Sequence, residues 1–291
     1  MGGARRSGGG DRAVDVPPEA GREAGREARR EACGPPGVVM DLLLPGRFDD
    51  PVEAYGYVRT IFDQVAAGER PPTISITPST RHVGVTRRDT FRPGFSDAVR
   101  ASNEEGYPVL VRGSGGGATA AGAGTFGFSI IRPADAEEAK RGIRDRYDEA
   151  AALVLGAFGR LGVRAEVGEV RHEFCPGDHS VRVGNWEDGA KLVGIAQRLT
   201  RRATSVGGIV LMSGEEELVR VLARVYGAMD LPFRPESVGS LRRAGSAATV
   251  EDAIEAFAAE AAARYGAARV PLDGWTLGLA RAAGEEQLIF P

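Results

Sequence analysis

The stretch from 109 to 129, VLVRGSGGGATAAGAGTFGFS, places a glycine-rich loop between two strand-like segments. Gly115, Gly117 and Ala120 satisfy the G-x-G-x-x-[GA] spacing of dinucleotide-binding proteins, but that motif requires a helix that begins at the loop. Here a second strand-like segment follows, and the chain also lacks the G-K-[ST] of a phosphate-binding loop. A loop of small residues lets a ligand approach the backbone closely, and Arg112 adds a fixed charge beside it. A flexible surface loop is the alternative.

The order of strand-like and helix-like segments predicts an α+β fold. Strands are predicted at 73–78, 108–113 and 126–132, and four more follow at 164–170, 179–186, 191–200 and 204–212. Four consecutive strands joined by short turns predict an antiparallel meander. Apolar periodicity and capping residues predict helices over 51–67, 134–161 and 215–229 and from Thr249 onward. Because helices and strands do not alternate as βαβ units, a purely parallel sheet is not expected.

Composition limits the classes of protein to which the chain can belong. The 291 residues are 42% hydrophobic, so they can fill a core. Their net charge is −3, so the chain has no overall positive field that would attract nucleic acid or an anionic membrane. No run approaches the roughly 20 apolar residues of a membrane span, and the N-terminus lacks a signal-peptide core, so we expect a cytoplasmic protein. Residues 1–36 are rich in Gly, Arg, Glu and Pro and predict a disordered tail, whereas 37–291 predict a single domain.

One cysteine and one lysine lie close together, although the chain almost avoids both residue types. Cys175 is one of two cysteines, and Lys140 and Lys191 are the only lysines among 37 basic residues. The Pro176-Gly177 turn predicts that the thiol lies at a loop tip, where Lys191 can reach it across a hairpin. A cation stabilises a thiolate, a thiolate attacks thioesters, and an ammonium stabilises the resulting oxyanion. A buried apolar cysteine and a surface lysine are the alternatives.

Two histidines flank the cysteine and are candidate general bases. His172 and His179 lie three and four residues from Cys175, but nothing in the sequence shows that their rings face the sulfur. No cluster of Cys, His and carboxylate residues has the spacing of metal ligands, so we expect no structural metal.

Two separate motifs resemble one known superfamily. RGSGGGATAAGAGTFGFS is similar to the R-x-S-G-G-x-A signature of the lipoate–protein ligase, octanoyltransferase and biotin ligase superfamily, and GAKLVGIAQR is similar to its G-K-K-x-x-G-x-A-Q-R signature. CPGDHSVRV resembles the C-P-G-x-x-D-L motif of cysteine-dependent octanoyltransferases, especially their amidotransferase branch. PESVGSL and TVEDAI resemble the C-terminal part of that branch, so the likeness covers roughly residues 38–265.

The resemblance implies a fold, a pocket and a mechanism. It implies a mixed, largely antiparallel sheet flanked by helices, in which the glycine loop and Lys191 wall a narrow pocket for a medium-length acyl chain. It also implies that Cys175 carries an acyl thioester. The positions that match the two signatures, and are therefore expected to bind the substrate, are Arg112, Ser114, Gly115, Gly116, Gly117, Gly194 and Ala196.

The reaction that the resemblance implies is acyl transfer in lipoate assembly. An octanoyl or lipoyl group would pass from a carrier protein to Cys175 and then to a lysine of a lipoyl-domain protein. Acceptors of this kind are the E2 subunits of 2-oxoacid dehydrogenases and the glycine-cleavage H protein, and the donor is an acyl carrier protein or the H protein. No cofactor is expected for this reaction.

Departures from the family pattern leave alternatives open. Ala121 stands where ligases of the family often have His, and HSV stands where YDL usually follows the Cys-Pro-Gly turn, so a carboxylate is missing unless Asp178 compensates. The segment between Cys175 and Lys191 also contains an extra turn, GNWED. The alternatives are an ATP-dependent lipoate–protein ligase, which would need ATP and Mg, and a non-catalytic protein that binds lipoyl domains.

Overall fold

The computed structural model describes residues 40–289, so the tail predicted for 1–36 lies outside the described residues. The strands are β1 (Asp41–Leu43), β2 (Thr73–Pro78), β3 (His82–Val85), β4 (Val109–Val111), β5 (Thr119–Ala121), β6 (Thr125–Pro133), β7 (Glu166–Val167), β8 (Val181–Val183), β9 (Ala190–Leu199), β10 (Ala203–Leu211), β11 (Ala268–Arg269) and β12 (Leu288–Ile289). The helices are α1 (Pro51–Ala66), α2 (Phe95–Glu104), α3 (Ala136–Arg141), α4 (Ile143–Arg160), α5 (Glu215–Ala228), α6 (Val250–Tyr265) and α7 (Gly274–Glu285).

Eight strands form the larger sheet, in the order β11-β1-β2-β6-β10-β9-β8-β7. The β1 strand pairs in parallel with β2 and β11, and the other neighbours pair antiparallel. The predicted meander is the β7–β10 half of this sheet. A mixed, largely antiparallel sheet with helices on its faces confirms the expected α+β fold class.

A second, smaller sheet has the order β12-β4-β3-β5 and was outside the sequence-based expectation. In it β3 pairs in parallel with β4 and antiparallel with β5. Its longest strand, β3, has four residues, and so short a strand gives almost no periodic signal in the sequence. The glycine loop joins β4 to β5, so the smaller sheet fixes both ends of that loop.

Apolar cores tie the helices to the two sheets. On one face of the larger sheet, α4 and α6 cover a core in which the Phe257 and Phe126 rings meet edge-on, with centroids 5.1 Å apart. The α1 helix covers the opposite face and α7 packs against α1, whereas α2 and α5 pack against the smaller sheet. Each large apolar side chain buried in this way contributes about 1.5–3 kcal/mol. Within residues 40–289, no helix has both the length and the apolar composition that a membrane crossing requires.

The helices differ from the predictions in several places. The single helix predicted over 134–161 is wrong, because Gly142 departs from helical geometry and separates α3 from α4. Ile143, which follows this break, is 41% exposed, and Val58 is 43% exposed because it borders a cavity rather than the core. The sequences of α2, which is mostly polar, and of α7, which contains three glycines, gave no helix prediction.

Candidate active site

A cavity of about 240 Å³ is bounded by both sheets and by α1, and we call it the slot. Its floor consists of two rows of cross-strand neighbours that run across β9, β10, β6 and β2. The rows are Ala196, Gly207, Ser129 and Ser75, and Gly194, Ile209, Gly127 and Thr77. Direct cross-strand neighbours point to the same face of a sheet, so these mostly small side chains leave free space above it. Because strands lie about 4.8 Å apart, four strands give the floor a length of about 14 Å.

The walls of the slot combine apolar and polar side chains. The α1 helix contributes Val58 and Phe62 together with Arg59, and Arg112 and Ser114 of the glycine loop and Cys175 also line the slot. Such a cavity suits an apolar chain whose polar end lies at the cysteine.

Three of the predicted glycines lie at the turn of the loop that faces the cysteine. Gly115 donates its N–H to the carbonyl of Gln197 on β9, at 3.2 Å, which fastens the loop to the larger sheet. Gly116 has φ +111°, and a Cβ atom there would lie 2.5 Å from Sγ of Cys175, so only glycine fits. Gly117 donates its N–H to that sulfur at 3.2 Å. The predicted positions Gly194 and Ala196 belong to the slot floor described above.

Cys175 is held at each of its polar atoms. Its N–H donates to Oη of Tyr226 at 2.6 Å, and its carbonyl accepts from Nζ of Lys191 at 2.8 Å. Its Sγ accepts from the N–H of Gly117 and from Nη2 of Arg112, each at 3.2 Å. The backbone of Cys175 has φ +44°, a conformation that costs a residue with a side chain of order 1–3 kcal/mol and persists only when its surroundings enforce it.

The surroundings of Cys175 favour its thiolate. Burial raises the pKa of the thiol, but the charges of Arg112 and Lys191 and the hydrogen bonds from Gly117 and Arg112 lower it, and the net effect is a lowered pKa. The same anion raises the pKa of Tyr147 and Tyr226, in addition to the larger effect of burial on both phenols. A partly buried thiolate at the edge of an apolar cavity has the chemistry of a nucleophile.

Lys191 lies against the cysteine turn and next to the slot floor, since a Cβ atom on Gly194 would lie 3.4 Å from its Nζ. Its side chain is fully buried, and Nζ donates to the carboxylate of Glu173 at 3.0 Å and to the carbonyls of Phe174 and Cys175 at 2.9 and 2.8 Å. An ammonium has three N–H donors, so all three are used within the protein. The expected role of Lys191 in stabilising the oxyanion remains a prediction.

Glu173 supplies the carboxylate that HSV lacks. Its oxygens accept from the N–H of Val170, from the hydroxyl of Ser180 and from Lys191, and its side chain is fully buried. Ser180 occupies the place of the aspartate in the YDL pattern, and Asp178 is exposed. The buried negative charge therefore comes from Glu173, two positions before Cys175, and not from Asp178.

Neither flanking histidine contacts the sulfur through any hydrogen bond found in residues 40–289. His172 is exposed and has φ +54°. The ring of His179 stacks on Tyr147 with centroids 4.3 Å apart, and its Nε2 lies 3.8 Å from Asp148. The candidate role of either residue as a base remains a prediction.

Sequence reasoning missed three residues around the site. Glu173 was detectable in principle, since a buried lysine needs a carboxylate, but burial of Lys191 is not visible in the sequence. Tyr226 lies 51 residues from Cys175 and reaches it only because α5 packs behind the loop. His82 lines the slot from β3, a strand too short to predict.

Among residues 40–289, no group of three or more His, Cys, Asp or Glu side chains converges as a metal site would require.

Comparison with known proteins identifies relatives of this arrangement. The chain is 28% identical over 181 residues to the octanoyl-[GcvH]:protein N-octanoyltransferase of Geobacillus kaustophilus, covering 60% of this chain and 61% of that relative. It is 24% identical over 184 residues to the lipoyl-[GcvH]:protein N-lipoyltransferase of Listeria monocytogenes, covering 61% and 63%. The chain thus spans less than two thirds of the length of these curated relatives.

Solved structures share the fold. A bipartite lipoate protein ligase from Thermoplasma acidophilum, solved in a study with its E2 lipoyl domain, superposes with a TM-score of 0.62 at 18% identity over 86% of this chain and 93% of that one. A lipoate-protein ligase A bound with ATP gives a TM-score of 0.64 at 18% identity over 85% and 95%. Residues 50–262 match the family described as the lipoyl protein ligase A/B catalytic domain, and the chain therefore belongs to that family.

Proposed function

We propose that this protein is an acyltransferase that moves an octanoyl or lipoyl group through a thioester on Cys175 to a lysine of a lipoyl-domain protein. The observation that carries the proposal is the sulfur of Cys175, held by Gly117 and Arg112 at the wall of the slot. The names of the similar transferases, which act with GcvH as donor, agree with this reaction.

The first step acylates the cysteine. The thiolate of Cys175 attacks the carbonyl carbon of the acyl group on its carrier, a C–S bond forms, and the bond from the acyl carbon to the carrier breaks. The leaving sulfur or nitrogen of the carrier takes the electron pair of that bond, and a nitrogen also takes a proton. The slot holds the acyl chain during this exchange, because its floor is long enough for a medium-length chain.

The second step transfers the acyl group to the acceptor. The neutral ε-amine of the acceptor lysine attacks the thioester, a C–N bond forms, and the C–S bond breaks. Sγ of Cys175 leaves as a thiolate, and the proton of the amine passes to solvent or to a base. The lowered pKa of Cys175 helps this step as well as the first, because a more stable thiolate is a better leaving group.

The position of Lys191 favours a transferase over an ATP-dependent ligase. A ligase activates a free acid as an acyl-adenylate, so its site must also hold the phosphate oxygens of ATP. Here Nζ of Lys191 is buried and fully used by Glu173, Phe174 and Cys175. In the proposed reaction the acyl group arrives already joined to a carrier, so neither ATP nor Mg is required.

Intact-mass spectrometry tests the proposal. A Cys33→Ala variant, in which Cys175 is the only thiol, is incubated with octanoylated carrier proteins, first the glycine-cleavage H protein and then acyl carrier protein. We expect an octanoyl adduct on Cys175 that disappears when an acceptor lipoyl domain is added, and no adduct in Cys33→Ala/Cys175→Ala.

Two other outcomes would replace the proposal with an alternative. Pyrophosphate release from ATP that depends on free lipoate, without any need for Cys175, would indicate a ligase. Binding of lipoyl domains without any adduct from either donor would indicate a non-catalytic binding protein.

A further inference from the structure

Arg112 has one nitrogen, Nε, that donates to no protein group in the described residues. Its Nη1 donates to Oγ of Ser114 at 3.1 Å, and its Nη2 donates to the carbonyl of Gly117 at 2.7 Å and to Sγ of Cys175 at 3.2 Å. Its Nε is buried and has no hydrogen-bond partner in the part of the chain that the structure describes. Arg112 lines the slot, and the guanidinium that contacts the nucleophile also carries this buried, unpaired Nε–H.

A buried donor without an acceptor is costly, and few folded proteins retain one without a reason. Leaving a buried donor unpaired costs about 1–3 kcal/mol, more for a charged group. Such a group is stabilised when a ligand brings an acceptor. The acyl group that reaches Cys175 carries one acceptor, its carbonyl oxygen, and this oxygen becomes negatively charged as the sulfur attacks.

The other cation of the site is not available for this oxygen. The ammonium of Lys191 is fully buried, its three N–H donors all have partners, and the residue is not among those that line the slot. Lys191 acts on the thiolate through its charge, whereas Arg112 contacts the sulfur directly.

We propose that Arg112 is a catalytic residue that donates its free N–H to the carbonyl oxygen of the acyl group, with the N–H of Gly117 as a second donor. This inference rests on the proposed function. As the C–S bond forms, the electron pair of the carbonyl π bond moves to oxygen, and negative charge leaves Sγ for that oxygen. Nη2 of Arg112 and the N–H of Gly117, which hold the thiolate in the free protein, are then beside the new anion, and the Nε–H of the same guanidinium adds a further donor.

The reverse movement of charge accompanies collapse of the intermediate. The oxygen returns its electron pair to carbon, and the bond to the carrier breaks in the first step or the bond to Sγ breaks in the second. Because Arg112 contacts Sγ and also has the spare donor, it stabilises both the oxyanion and the departing thiolate.

Two reactions of the same sulfur separate this role from simple stabilisation of the thiolate. Alkylation by iodoacetamide needs the thiolate but forms no oxyanion, whereas acylation by an octanoylated carrier needs both. Both rates are measured in the Cys33→Ala background for Arg112→Lys, which keeps a positive charge but lacks the Nε–H donor. We expect acylation to fall about 10²–10³-fold, as for the loss of an oxyanion donor, and alkylation at saturating pH to change by less than about tenfold.

Arg81→Lys makes the same exchange at an exposed arginine that does not line the slot, and it should change neither rate. Arg112→Gln removes the same donor and also the charge, so it should in addition raise the pH midpoint of alkylation toward that of an ordinary cysteine. That midpoint also responds to Lys191, Tyr147 and Tyr226, which face the sulfur from β9, α4 and α5 and are unchanged here.

Two results would overturn the inference. If Arg112→Lys lowers the rate of acylation and the rate of alkylation at saturating pH by the same factor, the role of Arg112 is only to stabilise the thiolate. Normal acylation in either Arg112 variant would remove it from catalysis. If the melting temperature of one Arg112 variant shows that it has lost the fold, the other variant is used instead, because both lack the Nε–H donor. Failure of the unsubstituted protein to form any adduct is a different result, because it contradicts the proposed function itself.

Discussion

At the scale of single residues, the site depends on how buried polar groups are paired. Cys175 and Lys191 stand out in the sequence because their residue types are rare, and the structure brings Nζ of one to the carbonyl of the other. That Nζ of Lys191 donates to the backbone carbonyl of Cys175 was not predictable. This orientation depends on Glu173, and the burial of Glu173 follows from tertiary packing. The orphan donor of Arg112 was likewise invisible, since a sequence does not show which donors lack partners.

Removing either charge of the buried pair should destabilise the fold strongly. Lys191→Met leaves Glu173 buried without its cation, and Glu173→Gln leaves Lys191 without its carboxylate, so we expect each to lower the free energy of unfolding by about 3–5 kcal/mol. The double substitution leaves no unpaired charge and should cost clearly less than the sum of the two. Urea denaturation measures all three, with Lys140→Met, at an exposed lysine, as the matched control. Single variants within about 1 kcal/mol of the parent would contradict this account.

At the scale of secondary structure elements, long segments with a regular pattern were predictable and short ones were not. The β2 strand matches its predicted bounds, and α6 begins after Thr249 with the capping pair to Asp252. The strands of the smaller sheet have two to four residues and no usable period. The break at Gly142 was missed because one glycine is tolerated in many helices at a cost of about 1 kcal/mol.

The floor of the slot should limit the length of the acyl chain. Ser129 lies in the row Ala196, Gly207, Ser129 and Ser75, on the side of the row farther from β9. Ser129→Leu fills that end of the slot, so we expect the rate of acylation by an octanoylated carrier to fall at least about tenfold while a butyrylated carrier is little affected. Rates of adduct formation in the Cys33→Ala background provide the measurement.

The matched control for chain length is Ser129→Ala, which adds no volume and should leave both rates near those of the parent. Equal losses with the two chain lengths in Ser129→Leu would show that the acyl chain does not follow this row of residues.

At the scale of the whole molecule, the site exists only where the two sheets meet. The α+β class was predictable because helix and strand patterns were clear. The second sheet was not predictable, because Leu288 of β12 pairs with Leu110 of β4, which lies 178 residues earlier in the chain. Pairings across such distances leave no local pattern. The prediction that residues 37–291 form a single domain is not tested by the fold class and stays a prediction.

Acid should destabilise the folded protein through His82. Burial lowers the pKa of His82 to about 4 from its ordinary value of 6.5, although the hydrogen bond to the Thr80 carbonyl opposes this. Between these values the unfolded chain binds a proton that the folded one does not, so stability falls as the pH falls from about 6.5 to about 4, by at most about 3 kcal/mol. Urea denaturation across this range should show a shallower decline for His82→Gln than for the parent.

The matched control for acid stability is His172→Gln, at an exposed position, which should leave the decline of the parent in place. An identical decline in His82→Gln and the parent would show that another group causes it.

The tethers of Cys175 come from parts of the chain that are far apart in sequence: α5, β9 and the loop between the β4 and β5 strands. A partly folded chain that lacks Arg112, Lys191 and Gly117 around the sulfur has an ordinary thiol, because these three residues are what lower its pKa. During folding, the reactive thiolate is therefore expected only after these segments have come together. The rate at which the sulfur reacts is, in consequence, a direct report on whether the two sheets have assembled.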